Sequence, residues 1–354
     1  MPSKEPEPAW YNYLTVDLLA RVLERSAFHP FVAWMIPLCF RAVGTSFEHR
    51  SMRLSAAYAT LVSIYALLSL ANKRIAYGAP RKVDLAKEVI VITGGASGLG
   101  ALIAEVYGMR GASVAVLDVQ GLEEEEIARG VEFYKCDVGE KAQVEKVAAE
   151  IEEELGTPTI LINNAGIVNG KPLLELSSED IERNFRVNLL SHYHTIQTFL
   201  PGMIRKQRGS IVTVSSVLGH LGCKNLSDYT AAKAGLIALH ASLTAEIAPY
   251  PSIKTLLVTP GKIATPLFEG VEQPSHFLSP VLSPVDIAKE IIAALDAGEG
   301  GEIALPLYAR WIRIMGMLPV GIQNLIRGWA LDSAMDTFKG KRIEGDKAGV
   351  VTES

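Results

Sequence analysis

Cysteine is scarce in this sequence, and none of its cysteines has the spacing of a metal site or a redox motif. The chain of 354 residues contains three, at positions 39, 136 and 223. They form no CxxC pair, which argues against a zinc ribbon, a thioredoxin-like motif and a disulfide framework. A reducing compartment is therefore the simplest expectation. We also expect no metal site, because His192 and His194 are two apart on a predicted helix and point to different faces.

The sequence also lacks a strong excess of charge of one sign. Its formal net charge is -5, so nothing in the totals predicts a nucleic-acid partner. Internal repeats and low-complexity tracts are missing as well. The first residues, MPSKEPEP, are polar and proline-rich, and no apolar run follows a basic stretch there. We therefore expect no cleavable signal peptide.

Apolar residues are abundant, and two apolar segments lie near the amino terminus. Residues 31–40 are too few to cross a membrane as a helix. Residues 54–72 contain no charge between Arg53 and Lys73, and at about 1.5 Å per residue they approach the roughly 30 Å thickness of the hydrocarbon core. We expect a membrane anchor here, either a spanning helix or part of a hairpin in one leaflet. The hairpin would also suit the surface of a lipid droplet.

Basic residues are more numerous after the longer apolar segment than before it. His49, Arg50 and Arg53 precede it, whereas the following side carries Lys73, Arg74, Arg81, Lys82 and Lys87. The positive-inside bias therefore predicts that the rest of the chain faces the cytoplasm.

A strand pattern at 88–93 runs directly into a glycine-rich turn. Gly94, Gly98 and Gly100 would let the backbone approach a pyrophosphate at the start of a helix. A second strand at 113–117 ends at Asp118, whose carboxylate would accept hydrogen bonds from a ribose and repel a 2′-phosphate. We therefore expect NAD(H), with NADP(H) as the alternative.

Further strands and helices alternate along the chain. A third strand ends before Asp137, which is placed to contact an adenine edge, and a fourth at 159–162 precedes Asn163 and Asn164. Strands and helices of these lengths predict an α/β fold, a doubly wound parallel sheet of Rossmann type.

Residues 216–233 contain a pattern that points to acid–base chemistry. Tyr229 and Lys233 lie one helical turn apart, and Ser216 precedes the tyrosine by thirteen residues. A lysine ammonium beside a phenol favours the phenolate, which predicts a lowered pKa for Tyr229 and a general acid or base for an alcohol or ketone. Ser216 would hold the substrate oxygen, with Ser215 as the alternative.

Taken in order, these motifs resemble the short-chain dehydrogenase/reductase family over about residues 86–305. TGGASGLG at 93–100 resembles its cofactor loop, NNAG at 163–166 its strand-four motif, and PGKIAT at 260–265 its segment after strand six. Asn188 with Ser216, Tyr229 and Lys233 matches its catalytic tetrad. The resemblance implies that Lys233 also holds the nicotinamide ribose and that Asn188 holds a water of a proton relay.

The resemblance and the nucleotide motifs together define the expected cofactor contacts. These are Thr93, Gly94, Ser97, Gly98, Leu99, Gly100, Asp118, Asp137, Asn164, Ala165, Gly166, Tyr229, Lys233, Pro260, Gly261, Ile263 and Thr265.

Within that family, residues 187–204 are similar to the membrane-associated retinol dehydrogenase and 17β-hydroxysteroid dehydrogenase type 11 group. This implies a lipophilic alcohol or carbonyl substrate such as a sterol, a retinoid or a long-chain lipid, and a place on the endoplasmic reticulum or a lipid droplet. A homodimer is implied by the family alone. The TAAKAGL sequence after Tyr229 and the longer amino-terminal region depart from that group.

The expected domain division follows from these assignments. Residues 1–82 form the anchoring region, 83–305 the catalytic domain, 306–338 an apolar, amphipathic extension and 339–354 a polar tail. Residues 267–282 are apolar and lie where the family places its substrate lid, and Pro319 is expected to break the extension into two helices.

Overall fold

The computed structural model describes residues 14–121, 130–268, 270–271 and 275–328. The predicted polar tail and parts of the predicted lid, the extension and the first segment lie outside these residues. In the described part, seven strands form one sheet. They are β1 (Val89–Thr93), β2 (Ser113–Asp118), β3 (Val131–Lys135), β4 (Ile160–Asn163), β5 (Gly209–Val214), β6 (Ile253–Pro260) and β7 (Gly301–Leu305).

All neighbouring strands are parallel, in the order β3-β2-β1-β4-β5-β6-β7. The central strands are rich in Val, Ile and Leu and are buried along their whole length, as strands covered on both faces are. The predicted doubly wound parallel sheet is confirmed. Its strand order reverses between β1 and β4, and in such sheets ligands bind in the crevice at the carboxyl ends of those strands.

Helices cover both faces of the sheet. The helices of the described residues are α1 (Val16–Arg25), α2 (Pro30–Ala42), α3 (Arg50–Tyr77), α4 (Gly98–Met109), α5 (Lys141–Glu154), α6 (Ser178–Phe185), α7 (Ser191–Lys206), α8 (Ser227–Glu246), α9 (Pro284–Asp296), α10 (Leu307–Trp311) and α11 (Val320–Arg327). Side chains of α4 and α9 complete the core on one face, and those of α5, α7 and α8 complete it on the other.

The two predicted apolar segments form a helical pair. Residues 31–40 lie in α2 and residues 54–72 lie in α3. The helices pack through the buried Ala33, Ala59 and Val62, and the indole of Trp34 donates to the Ser63 hydroxyl at 3.0 Å. Among the described helices, α3 is the one long and apolar enough to cross a membrane, and 17% of its most apolar window is buried.

The extension after the sheet lies against the amino-terminal helix. Beyond β7, α10 is followed by a 3-10 segment, Ile312–Met317, and Pro319 then precedes α11. The Asp17 carboxylate of α1 accepts a hydrogen bond from the Leu307 amide at 2.6 Å. Helix α1 therefore lies beside the start of α10, at the carboxyl end of β7.

A buried ion cluster joins the segment after α3 to the amino-terminal edge of the sheet. The Arg81 guanidinium lies 2.8 Å from the Glu88 carboxylate and donates to the Ser210 hydroxyl at 2.8 Å. Arg208 lies 2.7 Å from the same carboxylate, and Thr159 donates to its other oxygen. These contacts lie at the edge of the sheet opposite the crevice.

Candidate active site

A cavity of about 490 Å³ opens at the carboxyl ends of the strands, where the strand order reverses. Most of the residues that the sequence predicts as site residues line it. They are Gly94, Ser97, Gly98, Leu99, Asp118, Asp137, Asn164, Ala165, Gly166, Ser216, Tyr229, Lys233, Pro260, Gly261, Ile263 and Thr265. Thr93, Gly100 and Asn188 do not line the cavity. They contact residues that do.

The turn between β1 and α4 depends on its glycines. Gly94 and Gly98 adopt φ values of +65° and +61°, a conformation that side chains disfavour. A Cβ on Gly100 would lie 2.4 Å from the Gly94 carbonyl oxygen and 2.7 Å from the Asn164 amide nitrogen. The turn therefore forms a tight cradle at the amino terminus of α4, where backbone N–H groups and the helix dipole suit a phosphate.

Thr93 and Asn164 hold this cradle in place. The Thr93 hydroxyl accepts from the backbone amides of Asn164 and Ala165, at 3.0 and 3.1 Å. The Asn164 side chain donates to the backbone carbonyls of Thr93 and Gly94, at 3.2 and 3.0 Å. Thr93 is 2% exposed and acts on the turn without lining the cavity, and its contact with a cofactor stays a prediction.

Asp118 lies at the end of β2, at the rim of the cavity. One carboxylate oxygen accepts from the Ala96 amide and the other from the Gln120 amide, each at 3.0 Å. Each carboxylate oxygen has a second lone pair, so the group retains capacity to accept from a ribose hydroxyl. The aspartate thus ties the glycine turn to β2 and also presents negative charge at the rim.

Tyr229 and Lys233 project from the first turns of α8 into the floor of the cavity, where each is 3% exposed. The Lys233 ammonium donates to the Val214 carbonyl at 3.0 Å and lies 5.6 Å from the centre of the Tyr229 ring. Ser215 donates to the Lys233 carbonyl at 2.9 Å, which turns its hydroxyl toward the helix backbone. Ser216 forms a hydrogen bond with the Tyr229 phenol. Of the two serines, Ser216 is therefore the one beside the phenol.

The electrostatics of this group differ from the expectation. Burial raises the pKa of Tyr229, and the hydrogen bond from Ser216 opposes that rise. Burial also lowers the pKa of Lys233, to about 8. The expectation that Lys233 lowers the pKa of Tyr229 is wrong for this arrangement, because the ammonium bonds a backbone carbonyl and not the phenol oxygen.

Asn188 lies in a turn of π-helix, Arg186–Leu190, between α6 and α7. Its side-chain oxygen accepts from the Ile167 amide at 3.0 Å, and its amide nitrogen donates to the Ile167 carbonyl at 2.8 Å and to Asn184 at 2.9 Å. Both amide hydrogens are thereby used. Asn188 therefore fixes the loop after β4, which forms one side of the cavity. For a water of the proton relay, its side chain has one acceptor site left, the second lone pair of its oxygen.

Asp228 is a residue that the sequence analysis missed. It is 4% exposed, and its carboxylate accepts from the Tyr229 backbone amide at 2.8 Å and from the Asn169 side chain at 2.7 Å. It therefore fixes the start of α8 against the loop after β4. An acidic residue in the first turn of a helix is the sequence signal that could have found it.

Apolar side chains enclose the space beside Tyr229. Phe268 meets the Tyr229 ring edge to face with centroids 5.6 Å apart. Leu226 and Val271 are buried in the same cluster, and Val168 packs on it. The described part of the predicted lid therefore presents an apolar wall to the phenol.

Charged and polar groups of the cavity fit a dinucleotide. The glycine cradle would hold a pyrophosphate, Asp118 would accept from a ribose, and Lys233 would donate to a second ribose. In the described part of the chain, no group of three His, Cys, Asp or Glu side chains is placed to hold a metal ion. His192 is 1% exposed, and burial holds its pKa well below the ordinary value.

Comparison with known proteins agrees with this geometry. The family model described as short chain dehydrogenase matches residues 88–275. The chain is 36% identical over 282 residues to short-chain dehydrogenase/reductase family 16C member 6 of Bos taurus, which covers 77% of this chain and 88% of that protein. It is 37% identical over 226 residues to epidermal retinol dehydrogenase 2 of Homo sapiens, covering 61% of this chain and 73% of that protein.

Solved structures agree with the fold. A short-chain dehydrogenase from Streptomyces avermitilis superposes with a TM-score of 0.56 at 24% identity, over 68% of this chain and 96% of the other.

Proposed function

Because the chain belongs to the short-chain dehydrogenase family, we propose that it interconverts an alcohol and a carbonyl group on a lipophilic substrate, with hydride transfer to or from NAD(H). One observation carries this proposal. Ser216, Tyr229 and Lys233 converge on the cavity that the glycine turn closes at its other end. A proton-transfer group and a dinucleotide cradle in one cavity are what alcohol oxidation requires.

Tyr229 is the group that exchanges a proton with the substrate oxygen. In the oxidative direction the phenolate accepts the alcohol proton while the carbinol hydrogen leaves as hydride, and in the reductive direction the phenol returns the proton. Bound NAD(H) supplies the hydride acceptor or donor. Ser216 holds the substrate oxygen and, through its hydrogen bond, favours the phenolate against the effect of burial.

Lys233 and Asn188 act on the geometry around the reacting atoms. The Lys233 ammonium, already fixed by the Val214 carbonyl, has donors left for a ribose hydroxyl of the cofactor. Asn188 holds the Ile167 backbone and so keeps the loop after β4 against the cavity. In the proton relay, Asn188 would hold a water that links Lys233 to solvent.

The substrate class is inferred from the apolar side of the cavity. Phe268, Leu226 and Val271 surround the Tyr229 ring, which favours a sterol, a retinoid or a long-chain alcohol over a sugar. The name of the human relative, a retinol dehydrogenase, supports the same class.

We further propose NAD(H) as the cofactor, because Asp118 places a carboxylate at the ribose end and would repel a 2′-phosphate. The long apolar helix α3 supports membrane association, on the endoplasmic reticulum or a lipid droplet, with the catalytic domain in the cytoplasm. A homodimer is proposed from the family resemblance.

The test is nucleotide reduction by the detergent-solubilised full-length protein. NAD and NADP are each supplied with a sterol, a retinoid and a long-chain alcohol, and Tyr229→Phe is the blank. We expect turnover with NAD that disappears in the variant. Turnover with NADP alone would overturn the role of Asp118 and favour a carbonyl reductase. Cofactor binding without turnover on any of the alcohols would favour a non-catalytic scaffold on a lipid surface.

A further inference from the structure

Helix α1 is amphipathic, and its charged residues lie on the side of β7 and α10, where Arg21, Glu24 and Arg25 remain exposed at the rim. Asp17, Arg21, Glu24 and Arg25 line a polar cavity that α1 shares with β7 and α10. Leu18, Leu19, Val22 and Leu23 lie on the opposite face and are exposed, by 41, 52, 52 and 38%. A helix on a water-facing surface has the reverse arrangement, so this face is built for an apolar environment.

Exposed apolar side chains also lie on the carboxyl-terminal extension, which contacts α1 through α10. Trp311, Met317, Val320 and Leu325 are exposed by 62, 84, 69 and 76%. The Val16 amide of α1 donates to the Phe277 carbonyl at 3.0 Å, so α1 also lies beside the apolar segment that borders the substrate cavity. The surface therefore lies next to the substrate side of the sheet.

Helix α3 is held at two points. Its carboxyl end contacts the catalytic domain directly, and a residue nearer its amino end contacts the chain just after α1. At its carboxyl end, Lys73 lies 2.6 Å from Glu299, and Lys254 donates to the Tyr77 carbonyl at 3.0 Å. Nearer its amino end, the Tyr58 hydroxyl donates to the carbonyl of Ala27, directly after α1.

Helix α1 in turn is tied to the catalytic domain. Glu24 lies 3.4 Å from Arg310, and Asp17 accepts from the Leu307 amide. Tyr58 is therefore linked to the carboxyl end of β7, whereas Tyr77 is held at the amino-terminal edge of the sheet.

These two attachments are incompatible with a helix that crosses a bilayer. Tyr58 and Lys73 are separated by about 22 Å along the helix axis at 1.5 Å per residue. If α3 crossed the roughly 30 Å hydrocarbon core from the Lys73 side, Tyr58 would lie deep within it. The Glu24–Arg310 ion pair would then be carried into hydrocarbon, where charged side chains are costly.

We infer that the protein is monotopic: the apolar faces of α1, α2, α3 and the extension dock on one leaflet of a phospholipid membrane, and α3 does not cross it. This inference rests on the membrane association proposed above and specifies its geometry. Arg41, Arg50, Arg53, Lys73 and Arg74 are exposed along the edges of the apolar helices, which favours an anionic leaflet. The apolar segment that borders the substrate cavity, held to α1 through Phe277, then lies beside the lipid, the source of an apolar alcohol.

The crossing is tested by cysteine labelling in sealed vesicles that carry the full-length protein with its catalytic domain outside. In a Cys39→Ser and Cys223→Ser background, Glu48→Cys places a reporter between α2 and α3, and Lys146→Cys is the matched control on α5. We expect a membrane-impermeant maleimide to label both without detergent. Labelling of Glu48→Cys only after detergent, with Lys146→Cys labelled before it, would overturn the inference.

The docking face is tested with an environment-sensitive fluorophore on α1. Leu19→Cys places it on the exposed apolar face, and Arg21→Cys places it on the charged face of the same helix. With vesicles containing phosphatidylserine, we expect the emission at position 19 to rise several-fold and that at position 21 to stay near its starting value. An equal response at both positions would overturn the inference.

A flotation assay separates this inference from the proposals on which it rests. If the wild-type protein does not float with these vesicles, the monotopic inference and the proposed membrane association both fall. The proposed chemistry is tested separately by nucleotide reduction in detergent, which requires no membrane.

Discussion

Lys233 is a buried cation at the floor of the cavity, and its burial has a consequence for stability. Its pKa is 10.5 in the unfolded chain and about 8 in the folded protein. Between about pH 8 and 10.5 the unfolded chain therefore binds more protons at this residue than the folded protein does. The stability of the wild-type protein therefore rises with pH from about 8 to 10.5, and the full cost of the buried charge is present below pH 8.

Replacing the lysine should accordingly stabilise the fold while it removes activity. At pH 7 we expect Lys233→Met to be more stable than the wild type by up to about 3 kcal/mol, from 1.36 kcal/mol per pKa unit. The gain should shrink as the pH rises toward 10.5. Thermal unfolding of both proteins across pH 6 to 11 checks this, and a gain that does not change with pH would refute the assignment.

Asp118 has a structural contact and a proposed function in cofactor selection. Its carboxylate holds the Ala96 and Gln120 amides, and in the proposed function it also presents charge to the ribose. Asp118→Asn removes the charge and keeps one of the two acceptor oxygens, so it also releases one of these two amides. We expect the proposed preference for NAD over NADP to fall by about tenfold, which corresponds to roughly 1.4 kcal/mol. Titration with each nucleotide measures the ratio. An unchanged ratio would assign the preference to another group.

The glycine turn is the element on which the proposed nucleotide binding depends. A Cβ at Gly100 would lie 2.4 Å from the Gly94 carbonyl oxygen, so Gly100→Ala must push α4 away from β1. We expect a loss of about 1–3 kcal/mol of stability, as for other overpacked sites, together with weaker NAD binding.

Gly121→Ala is the matched control, since a Cβ there meets no atom within 4 Å. Thermal unfolding compares the stability of the two variants, and nucleotide titration compares their affinity for NAD. Equal effects at the two positions would show that the close approach of α4 to the turn is unimportant.

Sequence patterns predicted the elements better than the contacts between them. The parallel strands followed from apolar runs such as residues 88–93, because a strand buried on both faces has a recognisable composition. The bracing by Thr93, Asn164 and Asp228 did not follow, because side-chain partners 59 to 72 residues apart depend on the folded geometry. The expected effect of Lys233 on Tyr229 failed for the same reason, since its ammonium meets the Val214 carbonyl.

On the scale of the whole molecule, the segment after α3 is joined to the sheet by the Arg81–Glu88–Arg208 cluster. Burial alone would raise the pKa of Glu88, but the hydrogen bonds from Arg81, Thr159 and Arg208 outweigh it and hold the pKa below the ordinary value. The carboxylate therefore contributes stability above its unfolded pKa of 4.5, and this contribution is lost as the pH falls through the folded value.

Removing this carboxylate charge should destabilise the whole protein. Glu88→Gln leaves the buried Arg81 without its counter-ion, and we expect a loss of about 3–5 kcal/mol at pH 7. The difference from the wild type should narrow below pH 4.5. Denaturant unfolding at pH 7 and below pH 4.5 checks this. The exposed pair Lys146–Glu150 is the control, because Glu150→Gln should change the free energy of unfolding little.

The inverted face of α1 is a whole-molecule property that the sequence did not reveal. Its periodicity indicates an amphipathic helix, but a period of 3.6 residues leaves open which face meets the protein. The contacts of Asp17 and Glu24 with the extension decide it.

The most direct test of the proposed chemistry follows a labelled hydrogen. The purified full-length protein is incubated with NAD and with sterol, retinoid and long-chain alcohols deuterated at the carbinol carbon, and the NADH is analysed by mass spectrometry. We expect deuterium in the NADH formed by the wild type and none from Tyr229→Phe, although this variant still binds NAD. Deuterated NADH from Tyr229→Phe at the wild-type rate, or no deuterium transfer from any of these alcohols, would contradict the proposed reaction.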